Sequence, residues 1–307
     1  MKELRWTGAV ALVLTYGLIV LGAGVRATGS GLSCPDWPTC YGHWVPLPGD
    51  IPANVGYSYF QVMLEWVHRL IAGVILGPLI LVIAVLGWRA RGERPRMPLY
   101  VSVLIVVLLV QAGLGGLTVL DQNSPWSVAL HLSTALVLLS ILCLIVERTG
   151  TAPHHVGPAT RTLSGLVWLI ALGTMASAAM VTKSGASLAC TTWPLCDGAL
   201  VPDLGDPQIR LHFTHRLLAL GTGLGVLALA LAARGQPEVR PLASLSAVLV
   251  ALEIALGRFV VLWEVPMDVA LAHQALGVLT FAVLSFATWR CHWRTADVEL
   301  AHGLSHA

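Results

Sequence analysis

The chain has 307 residues, of which 56% are hydrophobic and only 11% are charged, and its mean hydropathy is +0.77. A soluble protein carries roughly 25% charged residues, so this chain cannot cover a water-exposed surface, and we expect an integral membrane protein surrounded by lipid. The net charge of +2 arises from basic residues spread over short loops, so we expect no nucleic-acid partner.

Eight apolar runs are long enough to provide the roughly 20 residues that cross a bilayer core. They predict an all-α integral membrane protein with eight transmembrane helices. The first run, from about Thr7 to Val25, is long enough to remain as a helix, so we expect no cleaved signal peptide. The predicted spans are 7–25, 63–87, 99–120, 127–147, 163–181, 210–233, 242–262 and 268–289.

Basic residues alternate between the two sides of the predicted bundle. Twelve of the eighteen lysines and arginines fall near the N-terminus, in every second linker and near the C-terminal end. The positive-inside rule then places these linkers and both termini in the cytoplasm of a multi-pass plasma-membrane protein. The opposite side carries two long outer loops, 26–62 and 182–209.

The sequence contains an internal repeat whose matched blocks keep the same order in both halves. Each half has four spans, an even number, so we predict two four-helix bundles, residues 1–153 and 154–307, related by a pseudo-twofold axis along the membrane normal. The matches are Cys34–Cys40 with Cys190–Cys196, His68–Leu70 with His215–Leu217, Val128–His131 with Ala270–His273, Gln111 with Glu253, and Gly115 with Gly257.

Four histidines lie just inside the outer ends of the even-numbered spans. They are His68 and His131 in the first half, and His215 and His273 in the second. Two histidines at one depth on parallel helices suit bis-histidine ligation of haem iron in a bundle core. The alternative is a set of hydrogen-bonded packing residues. Zinc is disfavoured, because a structural zinc site needs four ligands together.

An acidic residue precedes the first of these histidines. Glu65 shares a helix face with His68, and an ionisable group at membrane depth is costly enough to indicate a function. We expect proton transfer, with a structural hydrogen bond as the alternative. His212 stands at the matching position of the second half, so we predict reactive chemistry in the first half and electron transfer or structural support in the second.

Other polar residues near or within the spans receive weaker assignments. Arg69 and Arg216 follow the matched histidines and are expected to pair with haem propionates, because arginine binds carboxylates bidentately. Snorkelling of these side chains to the interface is the alternative. Gln111, Glu253 and Arg258 are given structural roles, with Glu253 and Arg258 partly neutralising each other.

The outer loops contain two cysteine pairs on the side that we expect to be oxidising. The cysteines of each pair are separated by five residues, which is close enough for a local disulfide. Stapling of the loop is the favoured role, and thiol–disulfide exchange is the alternative. The predicted pairs are Cys34 with Cys40 and Cys190 with Cys196, whereas Cys143 and Cys291 are expected to be packing residues.

Together these features resemble the haem A synthase family of bacterial and mitochondrial membranes, over essentially the whole chain. The resemblance rests on Glu-x-x-His-Arg at 65–69, the three further histidines, the first outer cysteine pair and the two four-helix halves. The family oxidises the C8 methyl group of haem O to a formyl group, in two successive hydroxylations followed by loss of water. The product, haem A, is the cofactor of haem-copper terminal oxidases.

The resemblance implies a role for each site residue. His68 and His131 would bind the iron of the substrate haem O, His215 and His273 would ligate a resident haem b, and Glu65 would be the essential carboxylate. The first cysteine pair matches the family's first-loop cysteines, whereas the second pair occurs only in some members.

The resemblance also implies partners. These are a haem O synthase that delivers the substrate, the terminal oxidase assembly machinery, and an electron acceptor that the sequence does not identify. Two other functions fit two haem sites: a cytochrome b-type electron carrier between quinone and the outer disulfides, and a non-catalytic haem-binding assembly or transport protein. The carrier predicts two equivalent sites, so the difference between Glu65 and His212 counts against it.

Overall fold

The computed structural model describes residues 1–150 and 156–293, so the expected boundary at 153/154 lies outside the described residues. The described part is helical, and eight of its helices are long and apolar enough to cross a membrane, which confirms the predicted fold class. The α-helices are α1 Lys2–Ala27, α2 Tyr59–Leu70, α3 Gly77–Arg89, α4 Met97–Leu120, α5 Pro125–Arg148, α6 Pro158–Lys183, α7 Pro207–Ala232, α8 Arg240–Leu262 and α9 Met267–Cys291.

The second span consists of α2 and α3 joined by a π-helical segment, Ile71–Leu76. Pro78 has no amide hydrogen to donate to the preceding turn, and Gly77 N–H donates to the carbonyl of Ala72, five residues back. The matching span of the second half, α7, is a continuous α-helix. Because π-turns often occur at functional sites, this widened turn just after His68 and Arg69 marks the first half as the less regular one.

The spans pack in the same order in each half. In the first half α1 contacts α3, α3 contacts α4, α4 contacts α5, and α5 contacts α1. In the second half α6, α7, α8 and α9 close the same ring. The halves meet where α5 packs on α9, α5 on α6, and α1 on α9. A twofold axis that exchanged the halves would carry the contact of α5 with α6 onto the contact of α9 with α1. The presence of both contacts supports the predicted axis and the division into two bundles, which stay predictions.

The contact between the halves contains a cluster of buried apolar side chains. On α5, Leu136, Leu139 and Cys143 are fully buried and belong to the same apolar cluster as Phe281 and Leu284 of α9. At the end of the helices opposite the two long loops, Arg290 of α9 donates to both carboxylate oxygens of Glu147 on α5, at 2.7 and 3.0 Å. This packing fixes α5 and α9, the helices that carry His131 and His273, against each other.

Candidate functional site

The two outer loops are structural copies of each other. Both predicted disulfides are formed, and after each one the chain turns through two residues with positive φ. The disulfides are Cys34–Cys40 and Cys190–Cys196, and the turns are Tyr41-Gly42 and Asp197-Gly198. The repeat seen in the sequence therefore extends to the conformation of the loops.

A carboxylate closes each loop. Asp36 accepts hydrogen bonds from Tyr41 N–H at 2.6 Å and Gly42 N–H at 3.0 Å, and from the hydroxyl of Thr39. Partial burial acts to raise the pKa of Asp36, but these hydrogen bonds outweigh it and hold the pKa below its usual value. In the second loop, hydrogen bonds from the side chain and backbone of Thr191 lower the pKa of Asp197.

An arginine from the following helix holds the first loop in place. Arg69 donates from Nη1 to the carbonyls of Asp36 and Thr39, at 2.5 and 2.7 Å, and from Nη2 to the carbonyl of Cys34 at 3.1 Å. The loop therefore rests on the outer end of the helix that carries Glu65 and His68.

Arg216 makes the corresponding contacts in the second half. It donates to the carbonyls of Thr192 and Leu195, at 2.8 and 3.2 Å, and to that of Cys190 at 2.9 Å. Both guanidinium groups predicted to pair with haem propionates thus bind loop carbonyls, and the propionate pairing stays a prediction without support from these contacts.

Glu65 and His212 each accept a hydrogen bond from the backbone amide of the first loop cysteine, one through a carboxylate and the other through an imidazole. Glu65 is 4% exposed, and its Oε2 accepts from Cys34 N–H and from the hydroxyl of Ser33, both at 3.0 Å. Its Oε1 forms an ion pair with Arg69 Nη2 at 2.6 Å. In the second half Cys190 N–H donates to His212 Nδ1 at 3.3 Å. The two halves differ here by an acid and an imidazole that receive the same loop amide.

The starts of these two helices are anchored by matching side chains. Ser58 caps α2 in a reciprocal pair with Gln61, and Asp206 caps α7. Gln61 Nε2 donates to the carbonyl of Thr28 at 2.9 Å, and Gln208 Nε2 donates to that of Ser184 at 3.1 Å. These contacts tie each helix start to the end of the preceding span and so set the height of the site residues.

Removing the two loop-holding arginines should therefore have unequal effects on stability. Arg69→Gln leaves Glu65 buried without its ion-pair partner, and breaking a buried pair costs about 3 kcal/mol or more. Arg216→Gln loses only hydrogen bonds to carbonyls, because His212 stands in place of the acid, and we expect a loss of about 1–2 kcal/mol. Denaturant unfolding of the purified variants in detergent measures both; equal losses would contradict the structural role of the Glu65–Arg69 pair.

The helices that carry each histidine pair lie diagonally across their rings. The span α2–α3 faces α5 across the first ring, and α7 faces α9 across the second. His68 and His131 lie within electrostatic range of each other, as do His215 and His273. Each predicted pair thus lies on two facing helices, and iron ligation by these histidines stays a prediction.

Three of the four imidazoles lie in notches formed by glycines of neighbouring helices. A Cβ atom at Gly22 of α1 would lie 3.1 Å from His68 Cε1, one at Gly115 of α4 would lie 3.2 Å from His131 Cε1, and one at Gly257 of α8 would lie 3.1 Å from His273 Cε1. Gly115 and Gly257 match each other in the internal repeat, although the sequence alone indicated no role for them. These two glycines are 142 residues apart, as are His131 and His273, and this shared offset could have indicated that each glycine belongs to a histidine site.

Gly115→Val should displace His131 and reduce haem A formation on the order of tenfold, because overpacking a tight contact costs about 1–3 kcal/mol. Gly113→Val is the matched control, since a Cβ at Gly113 meets nothing within 4 Å. Both variants place the same β-branched residue in α4, so helix propensity does not separate them. Chromatography of haems extracted from membranes with a haem O supply measures the effect, and equal yields from both variants would show that the notch is not needed.

In three of the four histidines, one ring nitrogen has a polar neighbour. The side-chain amide of Gln111 lies 3.3 Å from His131 Nε2, Glu253 Oε1 lies 3.1 Å from His273 Nδ1, and Ser177 Oγ lies 2.9 Å from His215 Nδ1. Such partners orient a ligating imidazole and, when anionic, raise its basicity. The matching positions of Gln111 and Glu253 in the repeat were the signal for this role.

The expected pairing of Glu253 with Arg258 is not what the structure shows. Glu253 contacts His273, whereas the guanidinium of Arg258 lies over the ring of Trp193, 5.6 Å from its centroid. In the first half the matching ring, Trp37, packs on Gly116, the counterpart of Arg258. Arg258 therefore replaces a glycine beneath the outer loop rather than neutralising an acid.

The donor set fits a haem better than a bare metal ion. In the described part of the chain the Nδ1 atoms of His68, His131 and His273 are buried without a hydrogen-bond partner, and Glu253 Oε1 lies 3.1 Å from the last of these as an ion-pair contact. Within residues 1–150 and 156–293, no group of three or more His, Cys, Asp or Glu side chains is arranged to hold a metal ion. Two imidazoles facing each other suit an iron that already carries four porphyrin nitrogens.

Comparison with known proteins agrees with this arrangement. Three similar proteins, each named haem A synthase, come from Shewanella oneidensis (28% identity over 96% of this chain and all of that protein), Geobacillus kaustophilus (27%; 93% and 90%) and Chelativorans sp. (31%; 92% and 88%). The model of the COX15-CtaA family, described as cytochrome oxidase assembly protein, matches residues 5–285. The chain therefore belongs to the COX15-CtaA family.

Proposed function

We propose that this protein is a haem A synthase, which oxidises the C8 methyl group of haem O to a formyl group by successive hydroxylations and supplies haem A for terminal oxidase assembly. The observation that carries the proposal is the duplicated diagonal histidine pair with an acid, Glu65, at the outer end of the first pair alone. The similarity to proteins named haem A synthase over more than nine-tenths of the chain supports it.

In this proposal the first half is the substrate site. His68 and His131 bind the iron of haem O, and the notches at Gly22 and Gly115 set the orientation of their rings. Glu65 lies one turn above His68, so its carboxylate is directed toward the outer side of the site. Each hydroxylation releases protons from the methyl carbon, and Glu65 is the buried group in reach of this region that can accept one.

The contacts of Glu65 serve that role. Cys34 N–H, Ser33 and Arg69 hold the carboxylate in one orientation. The loop disulfide is fully buried, and its Cys34 is the residue whose amide contacts Glu65. The chain thus provides a carboxylate in a fixed position as the proton acceptor of the proposed site.

The second half is the proposed site of a resident haem b, ligated by His215 and His273. That group, when bound, supplies one-electron transfer. Ser177 and Glu253 hold the two imidazoles, and His212 holds the loop without adding an acid. We expect a haem O synthase to deliver the substrate and the oxidase assembly machinery to receive the product, with an electron acceptor still to be identified.

The orientation in the membrane belongs to the same proposal. Two disulfides in the loops on one side require an oxidising compartment. Both termini then lie in the cytoplasm of a plasma-membrane protein, in agreement with the positive-inside rule.

A cytochrome b-type carrier between quinone and the outer disulfides is the second candidate. It is favoured by one observation, the direct contact of each disulfide loop with the helix that bears a histidine ligand, through Arg69 and Arg216. Two equivalent carrier sites would not need a carboxylate beneath the outer loop of one half alone, so the ion pair of Glu65 with Arg69 favours the synthase.

The decisive experiment is expression beside a haem O-producing synthase in a host that lacks haem A. Chromatography of haems extracted from the purified protein should show haem O and haem A alongside haem b. The host with the haem O synthase alone is the control. Haem b alone, accompanied by quinone reductase activity, would instead establish the carrier.

A further inference from the structure

Two basic residues lie at the outer ends of helices that pack on α9, one from each half. Arg26, near the end of α1, donates from Nη2 to the side-chain carbonyl of Gln274, the residue after His273 on α9. Lys183 is the last residue of α6, the helix that packs on α9. One cation from each half therefore stands at the outer end of the side where α6 packs on α9.

These two cations lack an anionic partner in the described part of the chain. None of the ion pairs formed among residues 1–150 and 156–293 includes Arg26 or Lys183. The hydrogen bond of Arg26 goes to a neutral amide, and its Nε is buried without any partner. A largely buried guanidinium is costly unless it is paired, so the arrangement indicates an anion that the chain does not itself provide.

The repeat is broken at these positions. Arg26 aligns with Thr182 at the loop offset of 156, and Gln274 aligns with Leu132 at the histidine offset of 142. The first half therefore has no counterpart of this cationic pair beside His131. Just as Glu65 distinguishes the first site, Arg26 and Lys183 distinguish the second.

We propose that Arg26 and Lys183 bind a propionate carboxylate of the haem held between His215 and His273. The inference rests on the haem site of the proposed function. Both carboxylates of a haem leave one edge of the ring, and the ligands lie near the outer ends of their spans, so an outward edge reaches the ends of α1 and α6. Arg69 and Arg216 are occupied by loop carbonyls, which leaves Arg26 with a free, buried Nε as the carboxylate donor.

The pair also explains how one site retains its haem while the other exchanges it. In the first half Arg69 is neutralised by Glu65, and no counterpart of Arg26 is present, so an anionic haem is held with less electrostatic help. In the second half His212 adds no negative charge beneath the outer loop, and the acid of that half, Glu253, contacts the imidazole of His273. The two further cations at the outer end favour the anionic ring edge. A resident cofactor in the second half and a released product in the first follow from this difference in charge.

The first test measures the loss of haem b from purified protein to an excess of a haem-scavenging apoglobin. Arg26→Gln should release haem about tenfold faster or more, the size expected for a lost charge-assisted hydrogen bond, and Arg26→Lys should retain most of the affinity. Gln274→Leu removes the internal hydrogen bond but keeps the charge, and Arg258→Gln removes a different outer cation of the same half. Both controls should stay within about twofold of the unmodified protein.

The second test replaces the ligand rather than the protein. Apoprotein is reconstituted with protohaem or with its dimethyl ester, which has no carboxylate. Esterification should speed haem loss about tenfold in the unmodified protein and have no further effect in Arg26→Gln, because the interacting partner is already gone.

Three results would overturn the inference: unchanged haem loss in Arg26→Gln, equal effects of Gln274→Leu and Arg26→Gln, or an ester effect of the same size in both backgrounds. The second result would mean that Arg26 only stabilises the contact between the halves through Gln274. The third would mean that the haem propionate binds a residue other than Arg26. Failure of the unmodified protein to bind any haem would refute the proposed haem site and this inference together. That outcome differs from the three results above, in which the unmodified protein binds haem.

Discussion

Replacing Glu65 with histidine should abolish haem A formation while the outer loop stays folded and haem stays bound. His212 holds the equivalent amide, Cys190 N–H, through its imidazole, so a histidine at position 65 can receive Cys34 N–H in the same way. What is lost is the carboxylate. Removal of a general base lowers rates by about 10²–10⁴-fold, and chromatography of haems from membranes with a haem O supply measures this as an accumulation of haem O.

Two further variants at the same position separate chemistry from structure. Glu65→Gln keeps an acceptor for Cys34 and Ser33 and should lose haem A formation as completely as Glu65→His. Glu65→Ala removes the acceptor as well, leaves Arg69 without its ion-pair partner, and should also destabilise the loop. Near-normal haem A formation by Glu65→His would show that the carboxylate has a structural role alone.

The large-scale features of the fold were predictable because they depend on local sequence. Runs of about 20 apolar residues have few alternatives to a transmembrane helix, and all eight appear. The disulfides were predictable because five intervening residues keep two cysteines within reach whatever the rest of the fold does. The diagonal histidine pairs were predictable from equal depth and an even number of spans in each half.

The contacts of the site were less predictable because they join distant parts of the chain. Nothing local to Arg69 indicates that it binds carbonyls of residues 34–39 instead of a ligand. The pairing of Glu253 with Arg258 failed for a simpler reason: residues five apart on a helix do not share a face. Gly115 and Gln111 could have been assigned to His131 from their shared offset, because residues that repeat together tend to act together.

The differences between the halves carry more functional information than the likenesses. An internal duplication would produce two equivalent sites, but in this chain the two sites differ in their charged side chains. An acid neutralises an arginine in the first half, whereas an imidazole replaces that acid and extra cations appear beside the second histidine pair. These changes suit a first site that carries out proton transfer on an exchangeable substrate and a second site that keeps its cofactor.

Replacement of one histidine at a time should separate the two sites. His273→Ala should lose nearly all haem b from the purified protein, because a single remaining imidazole cannot complete bis-histidine ligation. His131→Ala should keep haem b with an unchanged low-spin spectrum and yet make no haem A, because the substrate iron loses a ligand. The haem-to-protein ratio, the visible spectrum and the extracted haems together measure these outcomes.

Two controls make the expectation specific. His43→Ala alters an exposed outer-loop histidine near Asp50 and should change neither measurement. Added imidazole should restore haem binding to His273→Gly, since the Gly257 notch that faces this ring leaves space for a free imidazole. If His131→Ala and His273→Ala lost haem b to the same extent, the halves would be two equivalent electron-transfer sites. The acid at Glu65 would then need an explanation other than catalysis.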